Sequence, residues 1–526
     1  MHSAAAPTAA PATFPTAFRD LPSLLAEHAR LQPDAPAVRC GEAAIGYRDF
    51  NALVDRVAAS LQRDGVRPGG VVAVCAASSI DYLAVFVGTL RAGAAIAPLA
   101  PSATPSQLAD MAADAGASHV FVDAGTAALG VAWPAPVVAL DDAAGLAPFS
   151  GWLLPAGPAG ARPAAVAIDP EAPFNLIYSS GTTGTPKGIV QSHAMRWAHV
   201  QRGALSGYGP AAVTLIATPL YSNTTLVCAI PTLAWGGCLV LMPKFDAGPY
   251  LALAQAVRAT HTMLVPVQYQ RLMARPDFDR FDLSAFQLKF STSAPFHADL
   301  KADVLRRWPG GLTEYYGMTE GGGTVILQAH LYPDKLHTVG LPAEGHDIRL
   351  IDEDGVEIAR TPGGASAGSG EVVGRSSAMM TGYHHQPGKT AEAEWHDAEG
   401  RRYIRTGDVG RFDADGFLVL HDRRKDMVIS GGFNIYPSDL EAVLRRHPAV
   451  ADAAVVGVPS AEWGETPVAF VVLQPGHSET AEDVRGWANA QVGKTQRLSG
   501  LRLLPELPRS AIGKVLKREL RERWGT

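Results

Sequence analysis

Short, wholly apolar runs set between helical stripes constrain this chain more than any other feature. Val71-Val72-Ala73-Val74-Cys75 follows Gly69-Gly70 and carries no polar side chain to turn toward solvent. Before it, from Asp49 to Gln62, the apolar residues Phe50, Leu53, Val54, Val57, Ala58 and Leu61 fall on one stripe of a helix. Helical spacing returns through Tyr82 to Leu90, and Val120-Phe121-Val122 reads as another strand. The pattern resumes with strands at Leu215-Ile216-Ala217 and Leu239 to Met242, a helix over Leu251 to Arg258, and a strand at Met263-Leu264-Val265. Strands buried on both faces and alternating with helices form parallel sheet covered on both sides. The 526 residues are too many for one ordinary core, so two or more such units are expected.

From Gly340 the texture changes. Strands shorten, and the turns Asp354-Gly355, Gly363-Gly364 and Asp415-Gly416 become frequent, which predicts an antiparallel β subdomain. The charge cluster Asp422-Arg423-Arg424-Lys425-Asp426 lies between apolar strands and marks a domain boundary. Beyond it a small α+β unit is expected, with Ser438 and Glu441 as the capping box of a helix carrying Leu440, Val443 and Leu444. The fold class is therefore α/β: two βα-layered subdomains and a β subdomain, then a small C-terminal α+β domain. The divisions are a disordered Ala/Pro/Thr-rich tail over 1–16, a core over 17–421, a linker over 422–426 and the small domain over 427–526.

Hydrophobic content of 47% is ample for burial, and a net charge of −6 offers nucleic acid no general attraction. Cys40, Cys75, Cys228 and Cys238 form no C-x-x-C pair and read as buried thiols of a reducing compartment. No run of about 18 strongly apolar residues suggests a membrane span, and the N-terminal stretch lacks the basic start of a signal peptide. A cytoplasmic enzyme is the simplest placement; monomer and dimer both stay open.

Tyr178 to Val190, YSSGTTGTPKGIV, reads as strand, tight loop, strand. Its glycines permit close backbone approach, its hydroxyls and amides donate hydrogen bonds, and Lys187 adds charge, a set suited to polyphosphate. The spacing is not that of the Walker A loop. Four further elements stand out: EYYGMTE at Glu314 to Glu320, IRTGD at Ile404 to Asp408, GGFNIYP at Gly431 to Pro437, and PRSAIGKVLKREL at Pro508 to Leu520.

Together these strings resemble the signatures of the adenylate-forming superfamily, in its AMP-forming acyl- and aryl-CoA synthetase branch, over about Leu24 to Leu520. The resemblance implies ATP, Mg²⁺ and CoA as reactants with a small-molecule carboxylic acid. It places ATP against Ser179, Ser180, Gly181, Thr182, Thr183, Gly184 and Lys187. Ser293, Ala294 and Pro295 would lie along the adenine edge, where relatives more often carry Gly or Ala at Thr292 and Ser293. Glu314, Tyr315, Tyr316, Gly317 and Thr319 join the nucleotide site, with Tyr316 against the adenine and Thr319 on a phosphate oxygen. Glu320 would hold Mg²⁺, a hard cation that prefers oxygen ligands. Asp408 would accept the ribose hydroxyls, Arg423 would reach the nucleotide, and Lys425 would be the hinge of a mobile C-terminal domain. Gly431 and Gly432 would flank the pantetheine tunnel. Lys514 would bridge carboxylate and α-phosphate, with Thr182, Lys187 and Glu320 as its catalytic partners.

The acyl pocket is expected to use Tyr221, Ser222, Asn223, Tyr315, Met318 and Gly322. No carboxylate stands at Pro219 to Asn223, where amino-acid-activating relatives carry an Asp. Ser222 replaces a frequent His, and Tyr315 replaces a frequent Gly, which implies a shortened pocket for a small aromatic or short-to-medium aliphatic acid. A ligase that loads a carrier protein and a luciferase-like oxygenase remain the alternative activities.

Overall fold

The structure is a computed structural model that describes residues 17–141, 143, 145–155, 162–179, 187–361, 363–423, 426–430, 433–460, 463–493, 496–510 and 513–525. The expected tail over 1–16 lies outside the described residues.

The predicted apolar runs assemble into two large sheets. A nine-stranded sheet is built on the parallel neighbours Gly311–Tyr316, Leu288–Ser291, His261–Leu264, Val213–Ile216, Cys238–Leu241 and Pro36–Cys40. Antiparallel strands close its edges: Val325–Gln328 and Leu341–Pro342 on one side, Ala43–Gly46 on the other. In the eight-stranded sheet, Val71–Cys75 pairs in parallel with Ala95–Pro98 and Ala117–Val122. The strand Pro173–Ser179 extends that sheet beyond Ala95–Pro98, and the antiparallel strands Lys187–Ser192 and Gly382–Tyr383 complete this edge.

Alternation along each strand decides which layer a side chain joins. Val72 and Val74 enter a core shared with Val38, Leu239 and Met263 of the other sheet; the helices Tyr47–Arg63, Ile80–Arg91, His193–Ala204 and Asn223–Ala234 fill it with Val54, Phe86, Val200 and Leu226. Val71, Ala73 and Cys75 point the opposite way, against Leu108 and Met111. On the outer face of the nine-stranded sheet, buried Trp308 receives the edges or tilted faces of Tyr250, Tyr269, Phe278 and Phe286. Each such side chain stabilises the fold by roughly 1.5–3 kcal/mol through burial alone.

The chain after Gly340 forms an antiparallel sheet, in the order Asp347–Ile351, Gly370–Arg375, Arg402–Phe412, Glu394–His396, with Leu418–Arg423 also on Arg402–Phe412. The last sheet pairs Val450–Ser460 with Gly464–Leu473 and packs the helices Pro437–Arg445 and Ala481–Asn489 through Leu440, Leu444, Val455, Ala469 and Val484.

Two local expectations are corrected. Helix Ala247–Ala256 starts a turn before Leu251, because Asp246 caps it by accepting from the Gly248 amide at 3.1 Å. The Ser438/Glu441 capping box does not form. Pro437 opens that helix, so Tyr436 is the cap and Ser438 sits two positions too far in. Ser438 instead donates to the His421 carbonyl, and buried Glu441 accepts from the Val455 amide at 2.9 Å and pairs with Lys517 at 3.2 Å. Among the described residues no helix is long and apolar enough to cross a membrane.

Candidate active site

Three sheets bring the sequence motifs to one place. Strands Pro173–Ser179 and Lys187–Ser192 form an antiparallel hairpin with Ser179 opposite Lys187. The predicted loop residues Ser180, Gly181, Thr182, Thr183 and Gly184 lie outside the described residues. Lys187 Nζ sits 4.9 Å from the centre of the Tyr383 ring. The Tyr383 hydroxyl donates to Glu320 Oε1 at 2.8 Å, and the Met380 amide donates to the Glu320 carbonyl at 2.8 Å. Lys187, Tyr383 and Glu320 thus form one row, cation over ring and hydroxyl on carboxylate. Burial first, and then the Glu320 charge, push the Tyr383 phenol above its ordinary range, so it stays a donor at neutral pH.

A second contact joins the far side of the site. The Tyr316 hydroxyl, at the end of strand Gly311–Tyr316, donates to Asp408 Oδ2 at 2.8 Å. The Asp408 amide donates to Thr406 Oγ1 at 3.1 Å, and Asp408 lies opposite Arg423 in the sheet. Ser293 takes a left-handed conformation, φ 81°, just beyond strand Leu288–Ser291, with its Oγ 2.5 Å from Thr224 Oγ1. A backbone of that kind favours glycine. Ala294 and Pro295 follow it, partly buried and exposed.

The loop after Glu320 is held by close backbone contact. Gly321 has φ 74°, and a Cβ there would fall 2.0 Å from the Ala378 carbonyl oxygen. Gly322, expected in the acyl pocket, donates from its amide to that carbonyl at 3.0 Å. Met318 packs beside Ile189, Met380 and Ile404. Gly317 is exposed, and the Thr319 carbonyl accepts from Gln191 Nε2 at 2.6 Å.

One predicted nucleotide residue has its side chain engaged inside the protein. Glu314 is buried and its carboxylate pairs with buried Lys301, while Tyr315, the next residue on the strand, points to the opposite face. Tyr315 stacks on Phe290, with ring centres 5.6 Å apart. Tyr221 is partly buried, and Ser222 caps helix Asn223–Ala234 by accepting from the Thr224 amide. Asn223 Oδ1 accepts from Arg196 Nη1 at 2.9 Å.

Lys514 is exposed on a turn in which Ser510 accepts its amide at 3.2 Å and Arg509 donates to the Gly513 carbonyl at 2.6 Å. A Cβ on Gly513 would lie 2.8 Å from Val267 Cγ1 and 3.2 Å from Val265 Cγ2. The lysine turn therefore rests on the segment following strand His261–Leu264, the neighbour of the strand that leads to Ser293. Gly431, Gly432 and Lys425 lie outside the described residues.

Sequence reasoning missed Tyr383 and the arginines of helix His193–Ala204. The string Thr381-Gly382-Tyr383 carried a turn signal, but nothing local showed that its phenol would meet Glu320.

Fold and site define an ATP-using, adenylate-forming ligase. Residues 25–384 match the family described as AMP-binding enzyme, and residues 439–514 match the AMP-binding enzyme C-terminal domain. The chain belongs to that family, in its acyl-CoA synthetase branch, whose reactants are ATP, Mg²⁺, CoA and a carboxylic acid. It is 34% identical to a feruloyl-CoA synthase of Amycolatopsis over 94% of this chain and 97% of the relative. It is 30% identical to the fatty acid–acyl-carrier-protein ligase ScoC of Streptomyces coeruleorubidus, over 95% of each chain. ATP-bound MatB from Rhodopseudomonas palustris shares the fold with a TM-score of 0.83 and 28% identity, over 96% of this chain and 99% of that one.

Proposed function

We propose that this enzyme condenses a small aromatic or short-to-medium aliphatic acid with CoA through an acyl-adenylate. A carboxylate oxygen attacks the α-phosphorus of ATP and pyrophosphate departs; the CoA sulfur then attacks the acyl carbon and AMP departs. The observation that carries this reading is the convergence of the Lys187–Tyr383–Glu320 row with the Tyr316–Asp408 pair.

Carboxylate and ATP are both anionic, so their approach needs cations between them. Lys187 supplies one and Lys514 the second. Glu320 would hold Mg²⁺ through its carboxylate; one protein carboxylate with phosphate oxygens suits that ion, which neutralises phosphate charge when bound. Tyr383 fixes the Glu320 carboxylate in direction. Tyr316 presents its ring to the adenine, Asp408 accepts from the ribose, and the loop from Ser179 to Gly184, Thr182 included, donates to the phosphates. The region after 426 acts as a lid that turns about Lys425, bringing Lys514 for adenylation and Gly431-Gly432 for thiol transfer. Unpaired cysteines, three of them buried, suit a reducing cytoplasm.

A panel of carboxylic acids assayed for AMP release with CoA tests this reading. CoA-dependent AMP release with at least one acid of up to about ten carbons is expected. Activity that rises steadily to sixteen-carbon acids would contradict the pocket size, and release dependent on a phosphopantetheinyl carrier rather than CoA would contradict the acceptor.

A further inference from the structure

Helix His193–Ala204 places two arginines beside residues of the expected acyl pocket, and the adenylation chemistry uses neither. Arg196 is 1% exposed. Its guanidinium donates to Asn175 Oδ1 at 2.8 and 2.9 Å, to Asn223 Oδ1 at 2.9 Å and to Gln191 Oε1, all neutral amide oxygens. Arg202 donates to Thr324 Oγ1 at 3.3 Å, and its Cζ lies 5.4 Å from the centre of the Tyr315 ring. Among the described residues no carboxylate pairs with either arginine.

Two imidazoles stand with them. His346 Nδ1 accepts from the Thr324 amide at 2.8 Å, and His199 Nδ1 is 3.4 Å from Arg196 Nη1. Burial and the neighbouring guanidiniums hold both rings below the ordinary range, His346 down to about 4, so they add no charge at neutral pH. The cluster therefore carries two positive charges and no negative one. Buried charge is ordinarily paired, because leaving water costs several kcal/mol per ion. Arg196 has its donors spread over three amides. Arg202, partly buried, has five donors and, among the described residues, one hydrogen bond, to a neutral hydroxyl.

The two arginines border the expected pocket, Arg196 beside Asn223 and Arg202 beside Tyr315. We propose that Arg202, set over the Tyr315 ring and braced by Thr324, binds a second anionic group on the substrate, so that the acid activated is a short dicarboxylate. This rests on the proposed ligase function and narrows its substrate. One carboxylate faces Lys514 and ATP, and the other pairs with the Arg202 fork.

The test compares kcat/KM for AMP release within matched pairs: butanoate with succinate, pentanoate with glutarate, hexanoate with adipate. In the native enzyme at least one diacid should exceed its monoacid by about tenfold or more. Arg202→Leu should lower that diacid-to-monoacid ratio by about 10- to 100-fold, mostly through KM, the range for losing a charge-assisted hydrogen bond. Arg202→Lys should restore part of the ratio. ATP binding by each variant, followed by calorimetry, reports whether the protein is folded. Monoacids preferred in all three pairs, or a ratio unmoved by Arg202→Leu in a variant that still binds ATP, would overturn the proposal. AMP release from no acid of any kind would instead overturn the ligase function itself.

Discussion

Tyr383→Phe isolates one hydrogen bond of the site. The phenylalanine keeps the ring that Lys187 faces at 4.9 Å and removes only the hydroxyl that reaches Glu320 Oε1 at 2.8 Å. A hydrogen bond to a charged group is worth about 1.5–3 kcal/mol. Both partners are partly exposed, so solvent screening reduces this to about 1–2 kcal/mol. That corresponds to roughly 5- to 30-fold, in line with the usual effect of removing a group that orients a metal ligand. On the proposed role of Glu320, a carboxylate without its hydroxyl partner would lose its fixed direction and hold Mg²⁺ less well. The assay is acid-dependent pyrophosphate exchange at fixed ATP and varied Mg²⁺. The half-saturating Mg²⁺ concentration should rise and kcat/KM for ATP should fall by that factor. If Tyr383→Phe matches the native enzyme while Glu320→Gln loses exchange, the hydroxyl does not orient the carboxylate and the reasoning is refuted.

Lys514→Ala should reduce pyrophosphate exchange by about 100-fold or more while transfer from a supplied acyl-adenylate to CoA survives; equal loss of both halves would remove Lys514 from adenylation. Asp408→Ala should raise the ATP KM about tenfold or more and leave the KM of the acid nearly unchanged, read from steady-state kinetics. Gly321→Ala should destabilise the protein by about 3 kcal/mol or more, since it forces a Cβ against the Ala378 carbonyl at a φ of 74°; denaturant titration measures it. Desolvation holds the imidazoles of buried His193 and half-buried His346 near 4, below the ordinary 6.5. The unfolded chain therefore binds their protons first, so stability is full above about pH 6.5 and falls as pH drops toward 4; the urea midpoint should be lower at pH 5 than at pH 7.5.

Much of the fold was legible because burial on both faces leaves a local trace. Val71–Cys75 emerged as a strand over the residues its apolar run predicts, and the stripe from Phe50 to Leu61 became part of the helix Tyr47–Arg63. The capping box failed because a three-residue spacing does not say where a helix starts, and Pro437 moved that start. Motif membership likewise does not record which way a strand residue faces: the Glu314 carboxylate is paired with Lys301 inside the protein. Tyr383, Arg196 and Arg202 left no local signal, because Glu320, Asn223 and Thr324, which they respectively meet, lie far along the chain.

Local sequence was enough to assign most strands and helices, and to mark the strings that carry phosphate-type and carboxylate chemistry, since backbone preference and burial period act over a few neighbours. Three-dimensional packing alone revealed that Tyr383 meets Glu320 across 63 residues and Tyr316 meets Asp408 across 92. Those contacts follow from the packing and register of separate sheets, which depend on the whole chain at once.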